Sequence, residues 1–159
     1  MKKIILMTLM MLLSAVTTAR AQEKFENKTL ALMENIAMNS EQKNVVEFLK
    51  KADYEKVSES EEDGGKTYYF MGPNSYMMKI EYNKSKKLVN IVMRITSDFP
   101  VIIDIQTNLV QHGFVNRDYK QFHFAKSSYP YKFLTMNDED NSSAATIYLL
   151  TKYSENYQK

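Results

Sequence analysis

The only imidazoles in this 159-residue chain are His112 and His123, and there is no cysteine. The missing thiols rule out a cysteine nucleophile, thiolate metal ligation, disulfides and lipid attachment at cysteine. Two separated histidines without a neighbouring carboxylate partner do not make a zinc site, which needs three or four ligands at close quarters. His112 falls near the end of a predicted helix, where an imidazole serves either as a general base or as a donor to the last helical carbonyls. His123 stands between Phe122 and Phe124, so strand alternation sends it to the face opposite the phenylalanines, as a surface contact or a ligand residue. No Gly-x-Ser-x-Gly, His-Glu-x-x-His, Walker or Gly-x-Gly-x-x-Gly pattern occurs. A hydrolase reading would use carboxylates, with Asp98 and Asp104 as the acid pair. The run Glu59-x-Glu61-x-Asp63-Gly64 imitates the start of a calcium loop, but Phe70 occupies the twelfth position, where a bidentate Glu is required. No catalytic set, metal site or cofactor motif emerges.

Aromatic residues are the informative remainder: 11 Tyr and 8 Phe, with no Trp. Tyr68 and Phe70 share one strand face while Tyr69 takes the other, and Tyr148 falls opposite Ile147 and Leu149. A sheet with one face under helices should be polar on its second face. Here that face keeps tyrosines among Lys, Asn, Thr and Arg94. Tyrosine suits protein interfaces because it joins a large rigid apolar area to a hydroxyl. It also forms cross-strand pairs that stabilise a sheet by about 0.2–1 kcal/mol each. Tyr69, His123 and Tyr148 are the candidate partner-binding residues. If the ligand is instead small, Met77, Met93, Phe122 and Phe133 are the expected cavity lining.

Positioning these groups requires an α+β architecture. Leu32, Met33, Ile36 and Ala37 form one face of a short helix. Asn39-Ser40 offers a cap for a second helix over about 41–53, with Val45, Val46, Leu49 and Ala52 inward. Residues 58–66 read as a polar loop. Lys66 to Met71, Tyr76 to Tyr82 and Val89 to Ile95 read as three strands of an antiparallel meander. Ser97-Asp98-Phe99-Pro100 opens the next helix, which Gly113 ends. Tyr119 to Lys126, Tyr131 to Asn137 and Ala145 to Tyr153 give three more strands.

The helix end Leu49–Tyr54 parallels Leu109–Phe114, and Tyr76–Ile80 parallels Tyr129–Phe133. The expected fold is therefore two helix-plus-three-strand units, αβββ repeated over about 40–96 and 97–153, with the helices packed on one face of an antiparallel sheet. By element order alone it resembles secreted tandem-repeat inhibitors of the β-lactamase-inhibitor type, which present a curved sheet to a partner.

The first 21 residues read as a signal peptide. Lys2 and Lys3 are followed by the uncharged run Ile4 to Val16, and Ala19-Arg20-Ala21 is a small-x-small cleavage site. The run is too short to span a bilayer, and no later segment is a membrane span. Of the 21 basic residues, Lys2, Lys3 and Arg20 lie in this segment, leaving 18 against 19 acidic ones in a single domain of residues 22–159. A balanced charge argues against a nucleic-acid partner. The expectation is a periplasmic or secreted, non-catalytic binding protein of inhibitor or immunity type in the bacterial envelope, whose partner is another envelope or secreted protein. A binder of a small ligand, lipid or glycan is the first alternative, and a hydrolase with a carboxylate site the second.

Overall fold

The computed structural model describes residues 22–96, 101–118, 122–138 and 141–158. The expected signal peptide, Asp98 with the cap around it, and residues 119–121 of the expected fourth strand lie outside them. Helix α1 (Lys28–Asn39) starts at Asn27, whose side chain accepts from the N–H groups of Thr29 (3.0 Å) and Leu30 (3.2 Å). Those bonds satisfy two otherwise orphaned donors of the first turn. Leu30, Met33 and Ile36 then face the interior.

Helix α2 (Val45–Lys50) is shorter than the sequence pattern implies. Ser40 does not open it but closes α1, donating its backbone N–H (3.0 Å) and its hydroxyl (2.7 Å) to Ile36 O. The residue type is right for a cap, but here it serves the preceding helix. The turn that follows α2 closes at Asp53, in the left-handed region at φ 60°, and Tyr54 N–H bonds back to Leu49 O (3.1 Å).

The segment expected as a loop over 58–66 is instead a hairpin of β1 (Glu55–Glu62) and β2 (Gly65–Met71). Its two-residue turn, Asp63-Gly64, has both φ angles positive, 50° and 75°, as a tight hairpin turn requires. Every β1 side chain is exposed, so no apolar alternation marks the strand. Then come β3 (Met77–Tyr82) and β4 (Leu88–Thr96). Helix α3 (Val101–Gln111) is followed by Gly113 at φ 79°. Four strands complete the chain: β5 (Val115–Asp118), β6 (His123–Ala125), β7 (Lys132–Asp138) and β8 (Asn141–Leu150).

All eight strands form one antiparallel sheet in the order β1-β2-β3-β4-β8-β7-β6-β5. Two meanders are thus joined where β4 pairs with β8, from Asn90↔Leu150 to Thr96↔Ala144. The fold is α+β. The expected αβββ repeat is not evident, because β1 and β5 are additional strands and strands in matching positions differ in length, eight residues in β1 against four in β5.

The core lies between one sheet face and the helices. Phe70, Met78, Met93 and Ile147 follow one another across β2, β3, β4 and β8. They meet Met33, Ile36, Leu49, Ile105 and Leu109 from the helices. Burying each such side chain stabilises the fold by about 1.5–3 kcal/mol. The stretch before α1 is pinned to the same face. Phe25 packs on His112 (4.8 Å between ring centroids), Phe133 (5.7 Å) and Phe114 (5.9 Å), and Glu23 pairs with Lys126 at 2.7 Å.

Candidate functional site

Strand register carries Tyr69 and Tyr148 onto the same line. Ser58 pairs with Tyr69, Tyr69 with Lys79, Lys79 with Val92, and Val92 with Tyr148. The line continues through Leu134 and His123 to Asp118. Because alternate residues of a strand face opposite ways, the whole row lies on the face without helices. The three residues singled out from sequence therefore share one row, though not one state of exposure. Tyr69 and Tyr148 are half-buried. His123 is 3% exposed and its partner Leu134 is 9% exposed. Alternation put His123 on the expected side, opposite buried Phe124, but the protein covers the face at that end.

The adjacent row adds residues that the sequence pattern did not bring together: Met71, Met77, Arg94, Thr146 and Met136 on β2, β3, β4, β8 and β7. Met71, Met77 and Met136 are 36%, 50% and 46% exposed, and Arg94 is exposed as well. The signal was available strand by strand, since Met77 alternates with the inward Met78 and Ile80. It was not available as a patch, because that requires the register. The third row, Thr67–Glu81–Asn90–Leu150–Lys132, is more polar, and Glu81 pairs with Lys79 at 3.1 Å.

The expected small-ligand cavity does not form. Met93 and Phe133 are fully buried in the core, Met77 is on the opposite face, and Phe122 is exposed just before β6 at φ 47°. A cleft of about 670 Å³ opens instead at the end of the sheet, between the end of α1, the Asn83–Lys87 turn and the C-terminal segment. Its walls include Tyr82, Tyr131, Tyr153 and Tyr157. Tyr131 donates to Ala37 O (3.0 Å) and Tyr157 to Pro130 O (3.4 Å). The Tyr82 hydroxyl is buried beside the side chain of Ser40, whose hydroxyl donates to Ile36 O (2.7 Å) and keeps lone pairs that can accept from the phenol.

His112 and Asp104, the described groups with hydrolytic potential, lie at the two ends of one hydrogen-bonded chain through Glu26, Asn108 and Asn27. His112 is held structurally, with Nε2 2.9 Å from Glu26 and Nδ1 3.6 Å from Glu23. Hydrogen bonds from His112 and Asn108 hold the Glu26 carboxyl down to about 2. Asp104 is exposed and accepts from Asn27 Nδ2 at 2.6 Å. Among the described residues, no three His, Asp or Glu side chains are grouped so as to hold a metal ion, and no helix is long and apolar enough to cross a membrane. Comparison with protein-family models, curated proteins and solved structures gives no match.

Proposed function

We propose that this chain is an exported, non-catalytic binding protein that uses the helix-free sheet face to hold another envelope or secreted protein, in the manner of an inhibitor or immunity protein. One observation carries the reading: two adjacent cross-strand rows gather Tyr69, Tyr148, Met71, Met77, Arg94 and Met136 on one face. Tyr, Met and Arg are the types enriched in interface cores. Methionine on a sheet surface gives an adaptable apolar contact, and arginine adds planar hydrogen bonding. Export rests on residues 1–21, read as a signal cleaved after Ala21, and implies a periplasmic or extracellular destination.

The same proposal includes descent of the two halves from one unit. Both helices before a meander end alike, Tyr54 N–H bonding to Leu49 O and Phe114 N–H to Leu109 O, with Asp53 and Gly113 both at positive φ.

The test is photocrosslinking in the native compartment. A photoreactive phenylalanine analogue at position 69 or 148 should give one discrete adduct, and the same group at exposed Ile103 or Val110 on α3 should give none. Tyr69→Ala and Tyr148→Ala should each weaken the recovered pair by about 30-fold if they are central contacts worth about 2 kcal/mol. A folded protein that crosslinks equally from both faces, or from neither, refutes the reading.

A further inference from the structure

We propose that the buried carboxylate of Glu34 is the site that receives the chain's own amino terminus, the α-ammonium that cleavage after Ala21 creates at Gln22. The inference rests on the export reading above and goes beyond it by giving the cleaved end a partner inside the fold.

The carboxylate is built as half of an ion pair. Glu34 lies on the inward side of α1 and is 0% exposed. Its Oε1 accepts from the Tyr129 hydroxyl (2.6 Å) and from the Glu23 backbone N–H (2.8 Å). Its Oε2 is buried too and has no hydrogen-bond partner. Burial and Glu34 push the Tyr129 phenol up, so near neutrality it stays a donor. Tyr129 itself packs among Phe25, Phe114, Tyr131 and Phe133, which makes the surroundings apolar. A carboxylate in such a place is costly unless a cation and further hydrogen bonds compensate it. Among the described residues no cation pairs with Glu34. Lys126 Nζ is 2.7 Å from Glu23, and His112 stands between Glu23 (Nδ1, 3.6 Å) and Glu26 (Nε2, 2.9 Å).

The segment before α1 brings the amino terminus to that carboxylate. Phe25 is buried among the rings, and Asn27 donates its backbone N–H to Asn108 Oδ1 (3.4 Å) and its side chain to Asp104 (2.6 Å). Glu23 N–H is already on Glu34, and the Gln22 nitrogen is one residue back, at most about 3.6 Å along the chain. In the uncut chain that nitrogen is a neutral amide with one N–H. Cleavage turns it into an ammonium with three donors, positive near neutrality because an α-amino group titrates at about 7.7–8.0. Gln22 is exposed, and no hydrogen bond or ion pair among the described residues holds it elsewhere. The other titratable groups of the segment and its neighbours are Glu23, Glu26, Asp104, His112 and Lys126, all engaged as above, and Lys24, which is exposed. Glu34 is the carboxylate left for the new charge. Signal removal then tightens the segment that Phe25 anchors, a step closed to the precursor.

The test starts with export of the full chain and mass analysis of its N-terminus. A chain that begins elsewhere than Gln22 overturns the export reading and this proposal together. In a chain that begins at Gln22, the pH dependence of N-terminal labelling by an amine-reactive reagent tests this proposal alone. The amine should titrate about one unit or more above the free-peptide value and label about tenfold more slowly near neutrality than in Glu34→Gln. Acetylating the amine should speed amide exchange at residues 23–25 by about tenfold in the wild type and have no effect in Glu34→Gln, a comparison that holds even where that variant is less stable. An amine that titrates at the free-peptide value, or labels equally fast in both proteins, overturns the proposal and leaves the export reading intact. So does a freshly isolated chain in which the Gln22 amine has closed on its own side-chain carboxamide with loss of ammonia, since that ring carries no charge.

Discussion

Replacing Gly72 by alanine places a methyl group inside the ring of Tyr54. A β-carbon at position 72 would lie 2.2 Å from Cε1, 2.5 Å from Cζ and 2.7 Å from Cδ1 of that ring. Carbon atoms rest at about 3.5–4.0 Å, so the ring must retreat by roughly 1.3 Å. The backbone adds no strain of its own, since Gly72 has φ −105° and ψ −174°, which any residue adopts. The cost is therefore displacement of one ring that is 6% exposed, and overpacking of that kind destabilises by about 1–3 kcal/mol. The lower end applies if the ring swings into the cleft that Tyr54 lines together with Gly72 and Pro73. Urea unfolding should show a lower midpoint with unchanged slope, and the melting temperature should fall by about 3–9 °C. Repeating the substitution in a Tyr54→Ala background should cost less than about 0.5 kcal/mol, leaving a coupling of about 1–3 kcal/mol between the two positions. A loss below about 0.5 kcal/mol in the original background, or an equal loss in both, refutes the argument.

The two helix exits predict opposite outcomes. Gly113→Ala, at φ 79°, should lose about 1 kcal/mol, and Asp53→Gly, at φ 60°, should gain up to about 0.5–1 kcal/mol in denaturant titration. Acid should loosen the N-terminal segment. Glu26 is held down to about 2 by His112 and Asn108, so its contribution is present above the ordinary 4.5 and is lost as pH falls toward 2. Amide exchange at residues 23–27 should rise over that interval, and Glu26→Gln should remove the pH dependence; protection that stays flat contradicts the assignment. Alkali should act through buried phenols. Burial pushes Tyr54 and Tyr82 up to about 12, and burial together with Glu34 pushes Tyr129 further the same way. Raised phenols stabilise the fold below their usual 10 and stop doing so as pH rises through 12. Phenolate absorbance should therefore rise in two stages, the second coinciding with unfolding; a single stage that precedes unfolding contradicts it.

Elements whose apolar period is set by a core on one side were legible in the sequence. β4 shows it plainly, with Ile91, Met93 and Ile95 inward and the residues between them outward. β1 was not legible, because a strand exposed on both sides has no such period and Ser-Glu-Ser-Glu-Glu is also what a solvated loop looks like. β5 has only four residues, too few for a pattern. The site divides in the same way. Alternation is local, so it assigned Tyr69 and Tyr148 to the outer face. Exposure depends on what the rest of the chain lays over a strand, so alternation could not tell that Tyr148 is half-buried and His123 buried.

Register is the property that turns separate strand faces into a surface, and here it depends on one pairing. Tyr69, Met71 and Met77 belong to the first meander, and Met136 and Tyr148 to the second. They adjoin only because β4 pairs with β8 so that Val92 meets Tyr148 and Arg94 meets Thr146. At about 4.8 Å per strand, the patch from β2 to β7 is roughly 19 Å wide. A standard interface buries about 800 Å² on each partner, so a patch of this width suits the centre of one, with Lys79 inside it between Tyr69 and Val92 and with Glu81 and Lys132 of the neighbouring row along its polar rim. Neither meander alone presents that width or that combination of side chains. The seam between β4 and β8 is therefore part of the proposed site as much as the tyrosines are: a shift of one residue there would turn every outward side chain of β8 into the core and remove half of the contact face.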